Sequence, residues 1–202
     1  MERGVGSDDR YKPISFLSFD TPWASQQTED GIQVLQDAVA NAIDFGAEVI
    51  AIAGLGFTSL CNLFNRSQLP SQAQITELED EVKEFLESNV LPHAQACWKS
   101  SVAQPDCVLK CTATCAAIYL ESFADTVEYC NIVTESNRPA LGMTFHRRGQ
   151  TFCVFTVYWM QTPNRAKSRT LNAYLQFAKD ACNAEQPQLL IGGSFDIGSA
   201  KR

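Results

Sequence analysis

At several separate places this sequence runs apolar and then turns polar, as a buried strand does when its end delivers side chains to a cleft. Leu189-Leu190-Ile191-Gly192-Gly193 breaks into Ser194-Phe195-Asp196, and the run from Ile14 ends at Asp20. Val49 to Ala53 ends at Gly54, and the run from Phe152 reaches Tyr158. Asp20 and Asp196 each put a carboxylate at or just past the end of such a run, and the plain reading of each is a solvated aspartate at a strand end. Cys107-x3-Cys111-x3-Cys115, with His93 and Cys97 upstream, has zinc-ligand residue types. In one strand those three cysteines would share a face, the first and last about 26 Å apart, so only a helix or a turn would gather them. Their spacing also misses the usual cluster patterns. His146-Arg147-Arg148 is a compact basic spot, read either as a phosphate contact or as a solvated hairpin tip. Cys153 with His146 lacks an orienting third residue for nucleophilic chemistry, and Trp23, Trp98 and Trp159 are too scattered for a base-stacking platform.

Composition bounds what can carry these residues. At 202 residues and 45% hydrophobic the chain can bury a substantial core, and a single domain over 14–202 behind a tail at 1–13 is expected. A net charge of −7 opposes non-specific binding to nucleic-acid backbones, which calls for clustered Lys and Arg. The N-terminal stretch has no apolar core of a secretory signal, and no run approaches the roughly 18 apolar residues of a membrane span. An intracellular protein with reduced thiols is therefore expected, its cysteines serving largely as small hydrophobes.

The element order is mixed α/β. Ile14–Phe19 reads as a first strand, and Asp30–Phe45 as a helix with Ile32, Leu35, Val39 and Ile43 at three- and four-residue spacing. Gly46 stops that helix and Glu48–Ala53 follows as a buried strand, completing a strand-helix-strand unit. After a loop over Gly54–Gln74, Ile75–His93 is a second helix with an apolar stripe and a solvated acidic face. Val108–Leu120, Glu128–Val133, Leu141–Phe145 and Phe152–Met160 read as strands, with a hairpin turn at His146–Gly149. Ser168–Cys182 reads as a helix with Leu171, Leu175, Phe177 and Ala178 inward, feeding a last strand at Gln188–Ile191.

In this order the segments resemble the endonuclease/exonuclease/phosphatase superfamily, metal-dependent phosphoesterases with a DNase I-like fold. That family opens with a strand ending in Asn, the place of Asp20 here, and continues with a strand ending in Gln-Glu, the place of Ala53-Gly54. Its Asn-x-His falls on Thr156-Val157-Tyr158, its Arg-led helix on Arg169-Thr170-Leu171, and its Gly-Asp-Phe-Asn on Gly193-Ser194-Phe195-Asp196. The resemblance covers about residues 14 to 197. It implies a DNase I-like αββα sandwich, incomplete at the C-terminus, because the family's further catalytic Asp and its Ser-Asp-His motif lie beyond the last matched strand.

The resemblance also assigns roles, and several positions hold residues that cannot fill them. Where the family's Glu anchors the divalent metal, Gly54 offers no side chain, and Glu48 lies roughly 20 Å back along the strand. Where an Asp positions the attacking water there is the neutral hydroxyl of Ser194, and where a His faces the phosphate there is Tyr158, neutral at pH 7. Losing one general acid or base costs about 10²- to 10⁴-fold in rate. The expectation is a catalytically degenerate phosphoesterase-like protein that needs no cofactor and acts as a binding or scaffold subunit. A protein partner or a second copy would then cover the incomplete sheet. Two alternatives stand beside it: a weak Mg²⁺-dependent phosphodiesterase or nuclease using Asp20 and Asp196, and a remnant of a mobile-element endonuclease domain.

Overall fold

The computed structural model describes residues 14–19, 21–56, 59, 71–100, 105–133, 139–147, 149–158, 171–173, 175–176, 179–180 and 188–194. The segment at 1–13 read as a tail, Asp20, Asp196 and most of the loop after Gly56 lie outside the described residues.

The first strand, β1 (Ile14–Ser18), leads through a short helix α1 (Trp23–Gln26) to α2 (Glu29–Asp44) and then to β2 (Val49–Ala53). β1 and β2 are parallel, Ile14 opposite Val49 and Ser18 opposite Ala53, so the predicted strand-helix-strand unit is present. Thr28 caps α2 by accepting from the Gly31 amide, and Leu35, Val39, Ala42 and Ile43 form its buried stripe. Next come α3 (Gln72–Asn89), opened by a capping box between Ser71 and Gln74, and α4 (Leu91–Trp98). The single helix expected over Ile75–His93 is thus two, and the interruption at Val90 is where Pro92 begins the second. Proline lacks the amide that would continue the ladder, but it is tolerated in a first turn.

The stretch read as one strand, Val108–Leu120, is also two: β3 (Cys107–Cys111) and β4 (Cys115–Leu120), paired antiparallel with Cys111 opposite Ala116. The turn between them has neither glycine nor proline. Instead the Thr112 hydroxyl accepts from the Thr114 and Cys115 amides, a side-chain substitute for turn chemistry. The first sheet has the order β1-β2-β4-β3.

A 3₁₀ turn (Glu121–Phe123) carries the chain to the second sheet, β5 (Thr126–Val133), β6 (Pro139–Arg147), β7 (Gln150–Tyr158) and β8 (Gln188–Ser194), in that spatial order. β5, β6 and β7 are antiparallel neighbours, while β8 returns parallel to β7 with Tyr158 opposite Ser194. Residues 171–173, 175–176 and 179–180 are helical, within the helix expected between those strands.

The two sheets pack face to face. Tyr119 meets the Phe145 ring edge-on with centroids 5.7 Å apart, which identifies the inward face of β4. By register, Val49, Ala51, Ala53, Ala117 and Cys115 share that face, while Ile50, Ile52 and Ile118 turn to the helices. Small residues on the first sheet thus face large ones on the second, where Phe145 stacks on Phe152 at 5.4 Å and both lie edge-on to Phe123. Close interdigitation of this kind is what brings interior packing to crystal-like density. On the other face Trp98, 2% exposed, packs among the helices and donates its indole N–H to the Ala47 carbonyl at 2.9 Å.

One expectation about packing is corrected. Leu171 and Leu175 were expected to point inward, and they are 36% and 37% exposed. Apolar spacing shows that a helix has an apolar face; it does not show that another layer covers it.

Candidate functional site

The ends of β1, β2 and β8, the last residue of β7 and the β3–β4 turn meet at one end of the sandwich. Sheet geometry makes this so: β1 and β2 run parallel and finish level, at Ser18 and Ala53. β4 starts there, Cys115 opposite Ala53, and β7 and β8 finish together at Tyr158 and Ser194. Of the residues singled out from sequence, Gly54, Tyr158 and Ser194 therefore lie at this end. Ser194 is placed here by its backbone register alone. Asp20, one residue past Phe19, and Asp196, two past Ser194, are outside the described residues, so whether they approach one another is not defined.

Gly54 is the centre of the arrangement. Its φ is +93°, a conformation that side-chain-bearing residues rarely adopt. Its amide donates to the Thr114 carbonyl at 2.9 Å, and its carbonyl accepts from Gln26 Nε2 at 3.2 Å. A Cβ built on it would lie 1.9 Å from the Phe19 carbonyl oxygen and 3.0 Å from Tyr158 Cε2. That Phe19 backbone is tied in its turn, its amide donating to the Ala53 carbonyl at 2.9 Å. The Tyr158 ring is 7% exposed and belongs to the main core. The position has no carboxylate, and the space a side chain would need is filled by the protein.

Gln26 escaped the sequence reading. It ends α1, is 4% exposed, and donates through Nε2 to the Thr21 carbonyl at 2.8 Å as well as to Gly54. Two carbonyl acceptors fix which end of the amide is nitrogen. The opposite atom, Oε1, is buried without a hydrogen-bond partner. Nothing in the local sequence marks this glutamine, because both its partners are backbone carbonyls. Thr112 and Thr114, buried in the β3–β4 turn, were missed too: the Thr112 hydroxyl serves backbone amides of the turn, and the Thr114 hydroxyl lies 3.7 Å from the Cys115 sulfur.

The other constellations resolve differently. Cys107 and Cys111 lie on β3 and Cys115 on β4, across the turn, so the predicted single-strand separation does not apply. Among the described residues no group of three or more His, Cys, Asp or Glu side chains is placed to hold a metal ion. Burial, and the Asp44 charge, push the Cys97 thiol up, and His93 Nε2 lies 3.6 Å from its sulfur. Burial also raises Cys107 to about 11 and Cys111 to about 12, helped by Asp106 in the first case and chiefly by Glu79 in the second. None of these three is a poised thiolate nucleophile at neutral pH.

The basic spot is at the far end of the sandwich and is occupied. Arg147 Nη1 lies 3.5 Å from Glu48 Oε2, with side chains 19% and 13% exposed, and its guanidinium sits 4.8 Å above the Phe123 ring. His146 Nδ1 is 2.9 Å from the Thr151 hydroxyl. Arg148 is outside the described residues. Glu48, at the start of β2, is thus remote from Gly54 and already engaged.

Comparison with known proteins bears on the fold. No family model matches the sequence, and no curated protein matches it. Among solved structures, an endonuclease/exonuclease/phosphatase family protein from Bacteroides thetaiotaomicron superposes with a TM-score of 0.52 at 11% identity, over 94% of this chain and 65% of that one. A mannosyl-6-phosphatase from the same organism gives a TM-score of 0.52 at 10% identity, over 89% and 63%. The chain has the fold of that family. It spans less than two-thirds of the length of either relative, and at these identities the likeness concerns the fold and not the chemistry.

The family's divalent metal can be tested against the residues here. A Mg²⁺ site needs hard oxygen ligands in near-octahedral array. At the β2 end the side chain is absent, the Gly54 carbonyl is taken by Gln26, and the neighbouring donor is a neutral amide. The described residues do not fit the ion. Among them no helix is long and apolar enough to cross a membrane.

Proposed function

We propose that this chain is a catalytically degenerate protein of the endonuclease/exonuclease/phosphatase fold that works by binding another macromolecule and not by hydrolysing a phosphoester. The observation that carries the reading is Gly54. Hydrolysis in this fold needs a charged anchor at the end of the second strand, and a buried glycine with both backbone groups engaged cannot supply one. Ser194, in the register position of a water-orienting carboxylate, lacks the charge for that task.

A binding role is supported by the strand edges. Among the described residues β1 and β8 each have a partner on one side only, and neither Ile14–Ser18 nor Gln188–Ser194 contains a charged residue or a proline. Natural edge strands usually carry such protection against pairing. Leu190 on β8 is 42% exposed. A protein partner or a second copy at this side is the corresponding expectation, and residues 14–202 act as one unit in it.

Phosphodiester hydrolysis by the purified chain with Mg²⁺ or Mn²⁺, beside Asp20→Ala and Asp196→Ala, tests the reading. No turnover above background is expected. Activity removed by either substitution would replace it with the weak metal-dependent phosphodiesterase. Light scattering on the eluting protein tests the binding role, for which self-association or a co-purifying subunit is the expected result.

A further inference from the structure

We infer that the end of β2 has become a closed structural joint with Gln26 as its positioning residue, and that restoring a carboxylate at residue 54 does not reopen it to a divalent cation. The inference deepens the reading of a degenerate site, but concerns packing and metal affinity, not turnover.

Three constraints interlock at this point. The first is conformational: at φ +93° any side chain at residue 54 is strained before it touches anything. The second is steric, and the obstructing atom is backbone. The Phe19 carbonyl lies 1.9 Å from the built Cβ and its carbon 2.9 Å away, on a residue whose amide closes the β1–β2 ladder by donating to the Ala53 carbonyl, so backbone must shift before any side chain fits. The Tyr158 ring, on the other flank, is held in the core between the sheets.

The third constraint is the sign of the local electrostatics. A metal position in this fold needs negative oxygens converging on a cation. Here carbonyl oxygens do converge, those of Thr21 and Gly54, but the group between them is the Gln26 amide, whose two N–H bonds satisfy both. The amide ties the segment after β1 to the segment after β2 with a neutral donor. A carboxylate in its place would face both carbonyls with no proton to offer, and a cation would first have to displace the amide.

The test uses the full chain, as wild type and as Gly54→Ala, Gly54→Glu and Gln26→Glu. Each is unfolded in urea with and without Mg²⁺ or Mn²⁺, and titrated with the same metals by calorimetry. Gly54→Ala is expected to lower the folded-to-unfolded ratio about 10- to 100-fold, from strain and the Phe19 clash. Gln26→Glu should lose a comparable factor at pH 7 and recover part of it near pH 4, where a protonated carboxyl regains one donor; a role in packing alone would show no such pH profile. Neither the wild type nor any folded variant should gain a metal-dependent rise in midpoint or a saturable heat. Gly54→Ala as stable as wild type would overturn the joint. So would metal-dependent stabilisation of Gly54→Glu or Gln26→Glu, and if Gly54→Glu does not fold, the other two variants still decide. Hydrolysis by the native chain with Gly54→Ala still destabilised would remove the functional reading and leave the joint standing.

Discussion

Glu48 and Arg147 form an ion pair between the two sheets, and its strength can be worked out before it is measured. At 3.5 Å, with an effective dielectric constant of about 20, the Coulomb attraction is about 5 kcal/mol before desolvation is charged against it. Both side chains are mostly but not wholly buried, 19% and 13% exposed, so screening and desolvation take back most of that sum. The stacking of Arg147 on Phe123 adds about 0.5–1 kcal/mol. Arg147→Met keeps the aliphatic stem and removes the charge. It should therefore cost about 1–3 kcal/mol, a fall in melting temperature of roughly 2–12 °C for a chain of this size. Glu48→Gln isolates the pair, and urea titrations of the two single variants and the double should give a coupling energy of about 1–2 kcal/mol. That coupling should persist in 0.5 M salt, because a buried pair is screened less than an exposed one. A coupling below about 0.3 kcal/mol, or one abolished by salt, would refute the pairing and make Arg147 a solvated surface residue.

Three further outcomes follow from the packing. Gly192→Ala would drive a Cβ to 1.9 Å from the Phe16 ring, costing about 1–3 kcal/mol by urea titration, and Phe16→Leu in the same chain should recover part of the loss. Trp98→Phe removes the donor to the Ala47 carbonyl inside the helix layer and should cost about 1–3 kcal/mol, with unchanged far-ultraviolet circular dichroism. Burial, partly offset by hydrogen bonds from Thr114 and the Leu141 backbone, holds the Cys115 thiol up at about 12, against 9.0 when unfolded. The native state therefore keeps a proton that the unfolded chain releases, so stability should fall as pH rises from about 9 towards 12, less steeply in Cys115→Ala, and thiol reagents should reach Cys115 only on unfolding.

How much of this was legible beforehand depended on whether the deciding contacts are local. The β1-α2-β2 unit was readable because Ile32, Leu35, Val39 and Ile43 report a helix face, and Val49–Ala53 is too short and too apolar to be anything but buried. The β3–β4 turn was not, since Thr112-Ala113-Thr114 resembles the middle of an alternating strand until its hydroxyl bonds are seen. The break at Val90 was signalled by Pro92 and read through, because the apolar stripe continues across it. Gln26 could not have been found at all: its importance lies in a carbonyl 28 residues away. At Gly54 the sequence shows the missing side chain, and only the folded structure shows that Phe19 and Tyr158 fill its space.

That difference bears on what the proposed degeneracy would mean physically. A site that has merely lost its ligands should leave a polar hollow whose remaining groups still point inward, ready for a compensating carboxylate to restore it. Here the groups have been reassigned: the Gly54 amide to Thr114, its carbonyl to Gln26, its missing side chain to Phe19 and Tyr158. The Glu48–Arg147 pair between the two sheets has its carboxylate just before β2, where charge ties the sheets together, and not at its end. Neutral hydrogen bonds at the Gly54 end and charge at the distal end both favour holding the two sheets in one arrangement, as the proposed binding role would require. On the proposed reading, opening a cation site at this end would need coordinated change at residues 19, 26, 54 and 158, and Gly54→Glu alone should bind no metal.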